Sequence, residues 1–224
     1  MSQTVKVYPV KPPLPFQTPG EEIANAVLHG FGVIFAITGL VLFTVRVQSG
    51  GGADTGALAL VSYLIFTGSM FTMFLASTLY HAIRHEEAKR VFRVLDHSSI
   101  YFLIAGTYTP FCLLGLKGAW GWSLFGFEWV LAVAGISLHA VNFRPLKKVE
   151  VIIYIFMGWA IAAFWFKIKS LPPASIVLLV SGGAAYTLGI FFYSLKNRRG
   201  AHVIWHVFVL AGAVCHWCAI WALG

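Results

Sequence analysis

Residues 57–83 read ALALVSYLIFTGSMFTMFLASTLYHAI, a stretch without a single Asp, Glu, Lys or Arg that carries a histidine, His81, close to its end. Coiled as a helix at about 1.5 Å per residue, it is long enough to cross a hydrocarbon core of ~30 Å. It is too long for a strand and lacks the alternation of one. Inside lipid every backbone N–H and C=O must be paired within the segment, so helix is the remaining choice.

Six further runs of the same kind lie near 23–46, 92–116, 120–141, 149–168, 173–195 and 201–222. Short breaks separate them: Ser49-Gly50-Gly51-Gly52, Arg84 to Arg90, Lys117-Gly118, Arg144-Pro145, Lys169 to Pro173 and Lys196 to Gly200. The expected fold is therefore all-α, a polytopic membrane protein with a seven-transmembrane helix bundle over residues 21–224. Residues 1–20, with Pro9, Pro12, Pro13, Pro15 and Pro19 and no apolar run, are expected to form a disordered proline-rich tail. No cleavable signal is visible, so the first span is expected to direct insertion.

The composition agrees. Charged residues make up 11% of the chain and hydrophobic ones 58%, whereas a soluble domain carries about 25% charged residues. The net charge of +8 does not indicate a nucleic-acid partner, because the basic residues sit in clusters between apolar runs. Every Lys and Arg except Arg46, Lys117, Lys167 and Lys169 falls on one side of the expected topology. The positive-inside rule then places the N-terminus in the cytoplasm and the C-terminus outside, at the plasma (cell inner) membrane. Cys112, Cys215 and Cys218 all lie within apolar runs, and this odd intramembrane set makes no disulfide framework.

Ionisable residues inside spans are costly and call for a partner or a function. Given that topology, they gather at one depth near the cytoplasmic ends: Glu22, Asn25 and His29 in span one, Ser77 and His81 in span two, Asp96 and His97 in span three, His202 and His206 in span seven. His202 and His206 are four apart, so their imidazoles share one helix face about 6 Å apart and can grip one ion. A third histidine from another helix would complete three ligands of Zn²⁺ and leave the fourth tetrahedral position open. Asp96 enters at a depth suited to hold a water or orient a ligand ring.

Each residue also has a plainer reading. His81 can bond a carbonyl at the interface, Asp96 can cap a helix or pair with Arg93, and Asn25 can bond a neighbouring helix. His216, about 15 Å along the helix from His206 and too far to bind the same ion, is expected to pack in the bundle or to meet a water in the outer half. Glu128, about 12 Å into span four, is expected to be either a functional acid or an uncharged one. His85, His97 and His139 are expected at the cytoplasmic edge in solvated or interfacial roles. Fe²⁺ or Co²⁺ would also accept imidazole ligands.

Taken in order, Glu22-x-x-Asn25-x-x-x-His29, Ser77-x-x-x-His81, Leu95-Asp96-His97-Ser98 and His202-x-x-x-His206 resemble the hemolysin III family. That family is related to the progestin and adipoQ receptors and more distantly to alkaline ceramidases. The stretches Ile104-Ala105-Gly106-Thr107-Tyr108-Thr109-Pro110-Phe111, Met157-Gly158-Trp159 and Trp205 to Gly212 support the likeness, which covers nearly all of the chain after residue 20 and looks like the bacterial branch. The resemblance implies one zinc ion held by His81, His202 and His206, with Asp96 and Ser77 as the matching aspartate and serine. Glu22, Asn25, His29 and His97 would support them.

It further implies a zinc-dependent hydrolase of lipid amides or esters linked to membrane-lipid homeostasis, with a membrane lipid or fatty acid as partner. In that chemistry Asp96 would take a proton from water and Ser77 would hydrogen-bond the developing oxyanion. The alternatives are a non-enzymatic lipid sensor with a structural zinc and, last, a pore or proton-linked transporter of the kind the cytolysis in the family name suggests.

Overall fold

The computed structural model describes residues 17–52, 55–141, 146–195 and 198–224, without the side chains of 146–148. Its helices are α1 (Pro19–Gln48), α2 (Ala57–Ala82), α3 (Glu86–Pro110, continued by a π-turn over Phe111–Leu116), α4 (Gly118–Ala140), α5 (Leu146–Trp159, continued by a 3₁₀ segment Ala160–Phe164 and a last turn Trp165–Ile168), α6 (Pro173–Ser194) and α7 (Ala201–Trp221). Seven helical stretches are long and apolar enough to cross a membrane, and no strand occurs among the described residues. The chain is a multi-pass α-helical membrane protein.

The tail expected over 1–20 lies outside the described residues up to position 16. Beyond it the first helix starts earlier than its apolar run. Thr18 is the N-cap and exchanges hydrogen bonds with Glu21, a capping box, and Pro19 takes the first helical position, where a missing N–H costs nothing. α3 likewise begins at Glu86 rather than near 92, because the His85 side chain accepts from the Ala88 N–H and Glu86 and Glu87 occupy the positive first turn.

α3 is the central helix, with 78% of its apolar window buried against only 17% for α5 and for α6. It lies between α2 and α4, and α7 returns to pack on both α6 and α1. At Gly106 a Cβ would overlap the side chain of Ser69, so only glycine lets α2 and α3 approach this closely. The end of the bundle away from residue 17 is closed by Arg46, whose Nη1 donates to the Trp221 carbonyl at 2.6 Å, and by Ser175, which donates to Ala219 O at 2.9 Å.

The break in α5 matters most. A change from α to 3₁₀ coiling at Ala160 strands backbone groups that lipid cannot satisfy. Tyr108 takes them up. Its hydroxyl lies 2.7 Å from Met157 O and 3.0 Å from Gly158 O as a donor, and accepts from Ile161 N–H at 3.0 Å. Two of the stretches behind the family resemblance, 104–111 and 157–159, thus meet in one joint. Tyr108→Phe removes the acceptor of the Ile161 N–H and the hydroxyl donor to the Met157 and Gly158 carbonyls, which costs about 1–3 kcal/mol. The expected result is a lower thermal midpoint in detergent, read by loss of monodisperse protein.

Candidate metal centre

Antiparallel helices bring the N-terminal ends of α1, α3 and α7 to the same end of the bundle as the C-terminal end of α2. His81 is the penultimate residue of α2, while His202 and His206 occupy the first two turns of α7. One ligand nitrogen from each of His81, His202 and His206 lies within 4.8 Å of the other two. His81 and His206 are buried and His202 is half-buried. The pair grip expected from spacing is present: His202 Nε2 and His206 Nε2 are 3.0 Å apart.

The donor set fits a metal ion. Three imidazoles suit Zn²⁺, whose tetrahedral nitrogen ligands lie about 2.0–2.1 Å from the ion. His81 Nδ1 lies 2.7 Å from Glu22 Oε2, and that carboxylate assigns the ring proton to Nδ1. The other nitrogen, His81 Nε2, is buried with no hydrogen-bond partner. A buried lone pair with nothing to accept is expensive unless something binds it.

The two adjacent glutamates of α1 locate the cluster. Glu21 Oε1 accepts from Gly200 N–H at 2.6 Å, at the start of α7, where Gly200 turns the chain with φ 74°. Glu22 reaches His81 on α2 and Lys89 on α3, the latter at 2.8 Å. One turn of α1 therefore ties together both helices that carry the clustered histidines.

His29 and Asn25 follow on the buried face of α1. The His29 ring lies 3.8 Å from that of His206 between centroids, with neither of its nitrogens hydrogen-bonded. It walls the cluster and does not join the converging ligand atoms. Asn25 donates to Gln17 Oε1 at 2.8 Å, just ahead of its own helix, and not to a neighbouring helix.

Below the histidines opens a cavity with about 1290 Å³ of non-atom space, its mouth included. Ser77, Asp96, His202 and His206 line its polar end, and Leu103, Leu179 and Val209 are among its apolar walls. Asp96 neither caps α3 nor stands alone: its Oδ2 is 3.2 Å from Nδ1 of His97. Ser77 Oγ is buried one turn before His81, beside the Asp96 carboxylate.

One edge histidine differs from expectation. His139 is buried rather than solvated, with Nδ1 2.9 Å from Glu150 Oε1, and its ring stacks on that of His97 at 5.7 Å. Tyr154, in the cavity wall, bonds Glu150 at 2.7 Å and the His97 carbonyl at 3.0 Å. Sequence reasoning missed Glu150 and Tyr154. The signal available was an acid at the start of α5 facing a histidine at the end of α4. His216 does pack in the bundle, against Gly182, with Nε2 3.1 Å from Leu179 O. Glu128 is fully buried, with neither oxygen bonded.

Fold and site together define a seven-helix membrane protein with a histidine cluster able to take a metal, two of whose members line an apolar cavity. The chain belongs to the family described as Haemolysin-III related, which matches residues 17–217. It is 40% identical to Hemolysin-3 of Bacillus cereus over 194 residues, 86% of this chain and 87% of that protein. The likeness to a Hemolysin-3 homolog of Bacillus subtilis (strain 168) is 41% over 194 residues, 86% of this chain and 89% of that one. A weaker likeness, 27% over 207 residues, reaches the human Monocyte to macrophage differentiation factor and covers 90% of this chain and 83% of that protein.

Proposed function

We propose that this protein is a zinc-dependent hydrolase of lipid amides or esters that works inside the bilayer and serves membrane-lipid homeostasis. Its N-terminus lies in the cytoplasm, at the cell's inner membrane. The observation that carries the reading is the junction of two environments: three converging imidazoles, two of which line, with Asp96 and Ser77, the polar end of a cavity whose walls are mostly apolar.

His81, His202 and His206 would hold the ion. When bound, zinc supplies Lewis acidity, polarising a carbonyl and making water a better nucleophile at neutral pH. Asp96 accepts the proton of the attacking water and returns it to the leaving group. Ser77 Oγ, beside the Asp96 carboxylate, donates to the carbonyl oxygen as negative charge develops there. The apolar side chains deeper in the cavity bind the acyl chain and keep bulk water out.

The test is direct. Purified protein in liposomes is given N-acyl lipids and acyl esters, and released fatty acid is quantified. Release should disappear on chelation, return with Zn²⁺, and be absent from His202→Ala at any zinc level. Turnover that survives in His202→Ala would refute the reading.

One observation favours a second reading, a lipid sensor with a structural zinc. The ion would join α2 to α7 at a place already braced by Glu21 and Glu22, as a staple would. That version keeps the stabilising effect of metal and shows no turnover with any lipid. The pore reading ranks below both, because the polar cluster sits at one end of the bundle with only Glu128 and His216 to continue a path.

A further inference from the structure

We propose that Lys89 is a positioning residue of the metal centre, acting on His81 through Glu22. This rests on the metal-binding reading of the histidine cluster and deepens it.

In the sequence Lys89 counts merely as one of the basic residues that mark an orientation. In the fold it sits one turn into α3, on a helix that contributes no metal ligand. Its ammonium is nevertheless shared between two acceptors, Glu22 Oε1 at 2.8 Å and the carbonyl oxygen of Tyr80 at 2.9 Å, and it lies 4.8 Å from the centroid of the Tyr80 ring. Tyr80 precedes His81 at the end of α2, where the last carbonyls have no partner within the helix. A lysine there both caps the helix and favours the negative end of its dipole.

The two oxygens of Glu22 therefore have separate duties. Oε1 is held by Lys89, and Oε2, at 2.7 Å, receives the Nδ1–H of His81. This fixes the tautomer that leaves Nε2 with a free lone pair, in a ring whose centroid lies 5.4 Å from that of His202 and 4.8 Å from that of His206. Exposed ion pairs do little, since solvent screens them. Here the side chains of Lys89 and Glu22 are only 12% and 19% exposed and that of His81 is fully covered, so the chain of contacts is sheltered. Without the ammonium, Glu22 would have one oxygen unbalanced and its side chain freed to leave His81. The imidazole could then rotate or take the other tautomer, with Nε2 protonated and unable to ligate.

The test reads metal affinity by competition with a chromophoric chelator in detergent, so it needs no substrate. Partners of this kind, beyond the ligands themselves, typically alter metal affinity by about 10- to 100-fold. Lys89→Met, which keeps the length of the stem and removes the charge, should weaken zinc by about that factor. Lys89→Arg should restore most of it. Glu22→Gln should weaken zinc similarly, and the double variant Lys89→Met/Glu22→Gln should be no weaker than Glu22→Gln alone. That lack of additivity would not arise if Lys89 merely stabilised the fold.

Wild-type affinity in Lys89→Met, or losses that add in the double variant, would overturn the proposal while leaving the metal site standing. If wild type binds no metal, and so resembles His81→Ala, the site reading fails and takes the role of Lys89 with it.

Discussion

Protein purified without chelators should carry one zinc per chain, and His81→Ala, His202→Ala and His206→Ala should each carry almost none. Two neutral imidazoles from one helix and a third from another are a sufficient set for a tetrahedral ion, whereas any two leave a weak site. The three rings already converge, two of them buried and Nε2 of His81 lacking any other partner, so removing one ring leaves the other two without a common role. Binding to the folded state stabilises by mass action, about 4 kcal/mol when free metal exceeds the dissociation constant a thousandfold. For a chain of this size that corresponds to a fall in melting temperature on the order of 10 °C when metal is stripped. Chelation should therefore lower the midpoint of wild type and leave the three variants nearly unmoved. His216→Ala is the control, because its ring bonds Leu179 O away from the cluster; it should retain full metal content. Elemental analysis names the metal in the same experiment. Metal retained at wild-type level by all three variants would place the ion elsewhere.

Lipid is why so much of this architecture can be read without coordinates. A spanning helix must be long, apolar and internally hydrogen-bonded, so the seven stretches stand out from composition alone. The depth of the polar residues is equally legible, since antiparallel helices reverse direction at each loop and place His29, His81, Asp96 and His202 at one end. Rotation about each helix axis is not legible. Depth alone does not tell a member of the converging cluster such as His81 from a wall residue such as His29, whose ring lies tilted against that of His206.

Hydropathy is also blind to helix outside the apolar slab, hence the early start of α3 at Glu86. The 3₁₀ break at Ala160–Phe164 carries no proline to announce it and depends on a hydroxyl from α3, Tyr108, some fifty residues away in sequence. Lys89 was hidden for another reason. A basic residue beside a membrane span already has an explanation as an orientation signal, and nothing local shows that it also reaches Glu22. The pairing of His139 with Glu150 joins the two sides of a turn, and neither flank has a pattern that demands it.

Asp96→Asn should keep the metal and lose the turnover. The substitution preserves shape and can still contact Nδ1 of His97, which lies 3.2 Å from the carboxylate, but an amide oxygen cannot serve as a base at neutral pH. Loss of a positioned proton acceptor costs about 10²- to 10⁴-fold in rate, with zinc content and melting temperature close to wild type. Ser77→Ala should behave as a milder relative, about 10²-fold or less, because it removes one oxyanion donor and leaves the base in place. The combination of intact metal and absent turnover is specific to an open site in which Asp96 touches the reacting water. If Asp96→Asn instead sheds zinc along with activity, the carboxylate belongs to the ion's own coordination sphere. The site is then closed by four protein ligands, the arrangement of structural zinc. In that case the cavity is left as a place to hold a lipid rather than to cut one, and the sensor reading replaces the hydrolase.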